Sequence, residues 1–267
     1  MTSQPVLLPS LSLCQRELVR FLRQRSRIIG ALVTPIVFWL LIGAGMGRSF
    51  RAGTGAPAEY GYLQFFFPGT VLMILLFTAI FSTISIIEDR KEGFLQGVLV
   101  APVPRMAIVL GKVLGGTVLA FGQGLLFLLL APTVGIHLSA VAWLITIVVM
   151  IVVSFALTAL GFCIAWRMSS TQGFHAIMNL FLMPMWFLSG ALFPTQGAMG
   201  GLGWIMRLNP LTYGLAALRR AMYWNNLPPS TTIPPLTVSL AVSIAFAVVM
   251  VALASALASR TTAADLQ

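Results

Sequence analysis

Six stretches of this chain run for 18 to 27 residues without an Asp or a Glu: Ile28–Gly47, Gln64–Ile87, Val113–Leu130, Ser139–Ala165, Phe174–Phe193 and Leu236–Leu257. A bilayer core needs about 20 apolar residues of helix, so each stretch reads as a membrane span. The fourth, at 27 residues, tilts or extends past the membrane. The third has a soft start, because Lys112 can snorkel from inside its first turns. Composition agrees. Only 8% of the 267 residues are charged, 58% are hydrophobic and the mean hydropathy is +0.96. An ordinary soluble domain carries roughly a quarter charged residues, so a soluble enzyme and a disordered chain are both excluded. The expected fold is an all-α integral membrane protein, residues 1–267 forming one transmembrane domain of six helices.

The net charge of +10 follows topology. With six spans, Arg16, Arg20, Arg23, Arg25, Arg27, Arg90, Lys91, Arg105, Lys112, Arg167 and Arg260 fall on one side. Arg48, Arg51, Arg207, Arg219 and Arg220 fall on the other. The richer side is cytoplasmic, so both termini are expected inside. A nucleic-acid partner is not expected. No span holds a carboxylate, which disfavours an ion-driven transporter, since a coupling ion needs a site at depth. His175 is the one candidate relay, at an inner membrane edge, and His137 sits in an outer loop. Cys14 and Cys163 lack metal-ligand spacing, and no metal site is expected.

Three segments outside the spans carry information. In residues 11–27, Leu11, Cys14, Leu18, Phe21 and Leu22 recur at helical spacing while arginines take other faces. This predicts an amphipathic helix in the cytoplasmic interface, serving as an anchor, as a lever on a partner, or as both. Residues 88–105 begin with five charged residues, then place Phe94, Leu95, Val98 and Leu99 on one face of a short helix that Pro102 and Pro104 end. An apolar knob flanked by charge suits docking into a groove on another protein; a solvated loop is the plainer alternative. In residues 194–235, Gly197, Gly200, Gly201 and Gly203 break any helix, Trp204–Leu208 can start a short one, and Leu211–Tyr223 reads as a second. Arg219 and Arg220 are expected to reach outer headgroups or the aqueous rim. Within the spans, Thr78, Ser82 and Ser85 form one helical stripe, and Asn179 is the strongest polar residue of the fifth. Such groups line a weakly polar path or hydrogen-bond between helices. The small pairs Gly43/Gly47 and Gly111/Gly115 point to close helix packing.

Two groups of these residues resemble a known family. Glu92-Gly93, Leu95, Leu99 to Pro104 and Gly111-Lys112 are similar to the loop after the second span of type-2 ATP-binding-cassette (ABC) exporter permeases, the drug-resistance, nodulation-factor and polysaccharide export type. Leu188 to Pro194, Asn209 to Tyr213 and Leu218-Arg219 resemble that family's segment between the fifth and sixth spans. The resemblance runs through the whole chain in span order. Phe94 and Gln96 depart from it, standing where many members carry Thr and Glu.

The resemblance implies a membrane subunit with no ATPase of its own, working with a separate ABC ATPase that holds ATP and Mg, in a bacterial cytoplasmic membrane. By position, Glu92, Gly93, Phe94, Leu95, Val98 and Leu99 would contact that ATPase, with Arg16 and Arg20 of the N-terminal helix flanking it. Asn209, Pro210, Tyr213 and Arg219 would belong to short re-entrant helices at the exit. The second and fifth spans would face the axis of a homodimer or a pair with a similar permease, placing Thr78, Ser82, Ser85 and Asn179 on the path. The exported substrate would be an amphiphile, such as a lipophilic drug or a lipid-linked oligosaccharide. No phosphate-binding loop is present, since Gly111-Lys112 is followed by Val113. A secondary transporter or facilitator, and a non-transporting scaffold or sensor, are the competing classes.

Overall fold

The computed structural model describes residues 6–46, 61–192, 201–224 and 233–260. The regular elements among those residues are all helices, with no strand among them. In order they are α1 (Leu7–Arg23), α2 (Arg25–Met46), α3 (Tyr62–Ser82), α4 (Ile84–Lys91), α5 (Phe94–Val100), α6 (Arg105–Leu128), α7 (Ala140–Trp166), α8 (Thr171–Phe187), α9 (Gly201–Leu208), α10 (Pro210–Met222) and α11 (Leu236–Arg260), with a 3₁₀ turn at Ala131–Val134. Five segments are long and apolar enough to cross a membrane: Ile28–Gly45, Tyr62–Lys91, Arg105–Leu128, Ala140–Trp166 and Leu236–Arg260.

The fifth expected span is the exception. Its helix, α8, has 17 residues, about 25 Å of rise against a hydrocarbon core of about 30 Å. The chain then turns at Gly190, whose φ of 87° is a left-handed conformation that a side chain opposes. The expected stretch to Phe193 is therefore a shorter helix followed by a turn. Its last residue, with the remainder of 193–200, lies outside the described residues.

α3 is the hub. From Phe65 to Leu76 its residues are buried on every side, because α2, α6, α7 and α10 all pack against it. The surrounding helices bury single stripes. α2 uses Ala31, Pro35, Trp39 and Gly43, and α8 uses Phe174, Met178, Leu182 and Trp186, both at four-residue spacing. α11 buries only small residues, Ser239, Ser243, Ala247, Ala254 and Ala258, which lets it approach α7 and α10 closely. Aromatic contacts fill the end nearest the start of α3: Phe67 stacks on Phe127 at 4.7 Å, and Trp39 meets Phe127 edge-on at 5.4 Å.

Two boundaries differ from expectation. The interfacial helix spans Leu7–Arg23 rather than 11–27, and α2 begins after Gln24, where the backbone leaves helical geometry. α6 starts at Arg105, eight residues before the expected start of the third span. Lys112 therefore lies two turns inside a helix, and its side chain is buried rather than snorkelling to the surface.

Candidate functional site

α3 and α4 together run 30 residues, about 45 Å, so their C-terminal end projects beyond the hydrocarbon. Ser82 and Thr83 bond their hydroxyls back to the Ala79 and Ile80 carbonyls, the pattern that bends helices. Beyond the bend, α4 carries Ser85, Glu88, Asp89 and Arg90. The chain reverses through Gly93, at φ 75°, and α5 begins at once.

Asp89 is fully buried. Its carboxylate accepts from Arg16 Nη1 at 3.0 Å and Nη2 at 2.7 Å, from Arg20 Nη1 at 2.5 Å, and from Lys112 Nζ. Lys112 also donates to Glu17 Oε1 at 2.5 Å and to Ser85 Oγ at 3.2 Å. Arg20 reaches Glu92 at 2.9 Å and Glu88 at 3.2 Å. Three cations thus meet four carboxylates, which are four of the six acidic residues in the chain. A buried charge of this kind persists only when paired and hydrogen-bonded. Burial opposes the charge on Arg16, yet its hydrogen bond to Asp89 and the field of that carboxylate outweigh burial and hold the guanidinium above its ordinary pKa. Arg16 also lies 3.6 Å above the Phe94 ring, a cation–π contact that ties α1 to α5.

The α1–α6 contact explains why the cluster can close. A Cβ on Gly111 would come within 2.9 Å of the Ser10 carbonyl, and one on Gly115 within 2.8 Å of Glu17 Cβ. Glycine at both positions lets α1 lie against α6 with Ser10, Cys14, Glu17 and Phe21 facing inward. Leu7, Leu8, Leu11 and Leu22 remain exposed on another side of α1.

The expected docking residues divide. Leu95 and Leu99 are buried in the chain's own core, Phe94 and Val98 are half-buried, and Glu92 and Val100 are exposed. Arg90, beside Asp89, donates to the Met168 carbonyl at 2.9 Å and to the Trp166 carbonyl. It thereby fastens α4 to the turn between α7 and α8.

At the opposite end of α3, Asn209 caps α10. Its Oδ1 accepts from Leu211 N at 3.0 Å, its Nδ2 donates to the Met185 carbonyl at 2.6 Å, and Pro210 takes the first helical position. Tyr213 donates to the Arg207 carbonyl at 2.9 Å, so α9 and α10 are bonded to each other as well as to the end of α8. Arg219 does not reach the rim as expected. It is 7% exposed, donates to the Gly190 carbonyl at 2.9 Å and lies 4.3 Å over the Phe65 ring. Arg220 donates to the Ile233 and Pro234 carbonyls at 2.5 Å. Both arginines face carbonyls because helix and turn ends present unpaired acceptors there.

The polar stripe of the second span is buried inside the bundle. Thr78 donates to Gln123 of α6 at 2.5 Å, Ser82 faces Gly116, and Ser85 accepts from Lys112. Asn179 is exposed on α8, on the same side as His175. Among the described residues, no three His, Cys, Asp or Glu side chains are grouped to hold a metal ion.

Residues 10–223 match the ABC-2 type transporter family. The chain belongs to that family. Relatives include the ycf38 protein of Cyanophora paradoxa, 28% identical over 78% of this chain and 71% of its own. Nodulation protein J of Rhizobium meliloti is 26% identical over 74% of each chain. The inner membrane transport permease YadH of Escherichia coli is 24% identical over 85% of this chain and 88% of its own. This ABC-2 permease is an integral membrane subunit, and permeases of the family pair with a separate ABC ATPase.

Within the permease, sequence reasoning named Arg16 and Arg20 but missed their inward role. It also missed Glu17, Asp89, Arg90 and Lys112. The available signal was composition: four acidic residues confined to two segments outside the expected spans, with a lysine placed where snorkelling would have to run inward.

Proposed function

We propose that this permease exports an amphiphile across the cytoplasmic membrane, driven by ATP hydrolysis on a separate ABC ATPase that carries the nucleotide and Mg. In this reading α8 is the fifth of six spans, shortened because the chain folds back through α9 and α10, and both termini are cytoplasmic. Two permeases pair, and the exposed face of α8, with Asn179, borders the route between them. Thr78, Ser82 and Ser85 pack the protomer instead, since each already faces α6.

The observation that carries the reading is α5 itself. A seven-residue helix is braced from within by buried Leu95 and Leu99 and by the ion cluster, while Glu92, Gly97 and Val100 stay exposed. A shelf of this kind can receive force and pass it on to α1, α4 and α6. Between α1 and α5 lies an apolar hollow of about 350 Å³ lined by Leu13, Phe94 and Val98, suited to an apolar side chain of the ATPase.

Val100 is 75% exposed, so Val100→Asp leaves the fold intact. That variant should insert normally and lose co-purification with the ATPase. Undiminished co-purification would overturn the assignment of α5 as the docking helix.

A further inference from the structure

A groove of about 480 Å³ runs between α6, α7 and α11. Met106, Ile151, Phe155, Ile244, Val248 and Val251 are among its walls, and every wall residue is apolar. Ala247 and Ala252 stand among those larger side chains, and two methyl groups leave the space unfilled. The three wall helices are long and apolar enough to cross a membrane, so the groove opens on hydrocarbon. An empty groove there would forfeit dispersion contacts along its lining, which an acyl chain restores.

Its length is that of one leaflet. Ser255 of α11 bonds to Met106 Sδ at 3.2 Å, which sets the start of α6 level with the last turns of α11. From Ser255 back to Ile244 the helix spans about 16 Å. Half of a hydrocarbon core is about 15 Å.

The end beside Met106 is cationic. Arg105 begins α6, Arg167 follows α7 and Arg260 ends α11. Among the described residues, the ion pairs are made by Arg16, Arg20 and Lys112, and none of these three arginines joins them. Cations at the C-terminal ends of α7 and α11 suit the helix dipole, but one at the N-terminus of α6 opposes it. Arg105 Nη1 is also buried with no hydrogen-bond partner, a state that an anionic oxygen relieves. Residues 93–264 contain no Asp or Glu to supply that oxygen; Asp265 lies outside the described residues.

We infer that this groove binds an anionic phospholipid, its phosphate at Arg105 and Arg260 and one acyl chain lying between Met106 and Ile244. On the sidedness proposed above, the lipid belongs to the cytoplasmic leaflet. The binding itself does not depend on the export reading.

The test titrates the full chain in a neutral detergent with dioleoylphosphatidylglycerol, dioleoylphosphatidylcholine and dihexanoylphosphatidylglycerol, counting bound lipid by native mass spectrometry. The long-chain anionic lipid should fill a saturable site more tightly than either of the others. Arg105→Gln should weaken it roughly fivefold, the contribution of one arginine near an anionic surface. Arg260→Gln, at an exposed helix end, should do the same without disturbing the fold. Ala252→Phe fills the groove from an exposed position and should weaken both long-chain lipids, while Arg207→Gln, on α9, should change nothing. Equal binding of the two long-chain lipids, or full binding by both arginine variants, overturns the headgroup site. Undiminished binding by Ala252→Phe, or short-chain lipid bound as tightly as long, overturns the groove. A loss in Arg207→Gln equal to that in Arg105→Gln would place the anion elsewhere and overturn both.

Discussion

Asp89 and Arg90 are successive residues of α4 whose side chains grip different parts of the bundle. Asp89 accepts from Arg16, Arg20 and Lys112, fastening α4 to α1 and α6. Arg90 donates to the Trp166 and Met168 carbonyls, fastening it to the end of α7 and the approach to α8. Adjacent helical side chains point about 100° apart, so one turn of α4 can hold two partners at once. Under the proposed function, a push on α5 would therefore reach the N-terminal helix and α8 through neighbouring residues.

Removing the charge at Asp89 leaves three cations without their shared buried partner. Asp89→Asn should lower stability by about 3–5 kcal/mol, the cost of breaking a buried pair from one side. Glu92, 59% exposed, makes only a surface pair, and Glu92→Gln should cost less than about 1 kcal/mol. Thermal unfolding of the two purified variants separates these values, and equal melting would remove the cluster from any account of stability.

Arg90 makes a different kind of contact. Arg90→Gln should preserve ATPase pairing, because α5 is untouched, while transport falls more than ATP hydrolysis does. Arg90→Lys keeps the charge and one donor, and should recover part of the coupling. The measured quantity is substrate moved per ATP consumed in proteoliposomes. A ratio that stays at the wild-type value in the glutamine variant would show that α8 is driven by some other contact.

Cys14 reports on the seat of α1. Burial, and then the negative charge of Glu17, raise its thiol above the ordinary value, so less thiolate exists at any given pH and alkylation is slow. In a Cys163→Ser background, the maleimide rate should rise with pH along a curve displaced upward from free cysteine. Asp89→Asn should increase the rate severalfold by loosening α1. A wild-type rate matching free cysteine would place this thiol in solvent.

The α1–α6 contact depends on Gly115. Gly115→Leu must displace the Glu17 side chain and should cost about 1–3 kcal/mol, as overpacked sites do. Gly122, on the same helix with nothing within 4 Å of an added Cβ, should tolerate Ala and gain up to about 1 kcal/mol from helix propensity. Comparing the melting of the two variants tests whether close approach, rather than helix propensity, sets the requirement for glycine.

At the other end, Asn209→Ala removes the cap of α10 and its bond to the end of α8. A loss of about 0.5–2 kcal/mol is expected, with faster proteolysis between α8 and α10. Unaltered cleavage would mean that packing alone holds the outer helices.

The apolar runs by themselves determined that this chain is helical and membrane-embedded, because hydrocarbon leaves backbone groups no partner outside their own helix. Two prolines and a glycine determined where the short α5 begins and ends. Tertiary structure decided what the polar residues do. Thr78, Ser82 and Ser85 share a stripe, but only the position of α6 turns that stripe inward. Arg16 and Arg20 read as a basic face toward a partner, yet both meet Asp89 inside the protomer. Arg219 read as a rim charge and is buried under a carbonyl and a ring. Periodicity gives the face a side chain occupies. Which neighbour that face meets depends on contacts between residues far apart in the chain, 95 positions for Lys112 with Glu17 and 159 for Tyr223 with Gln64, and no local pattern encodes them.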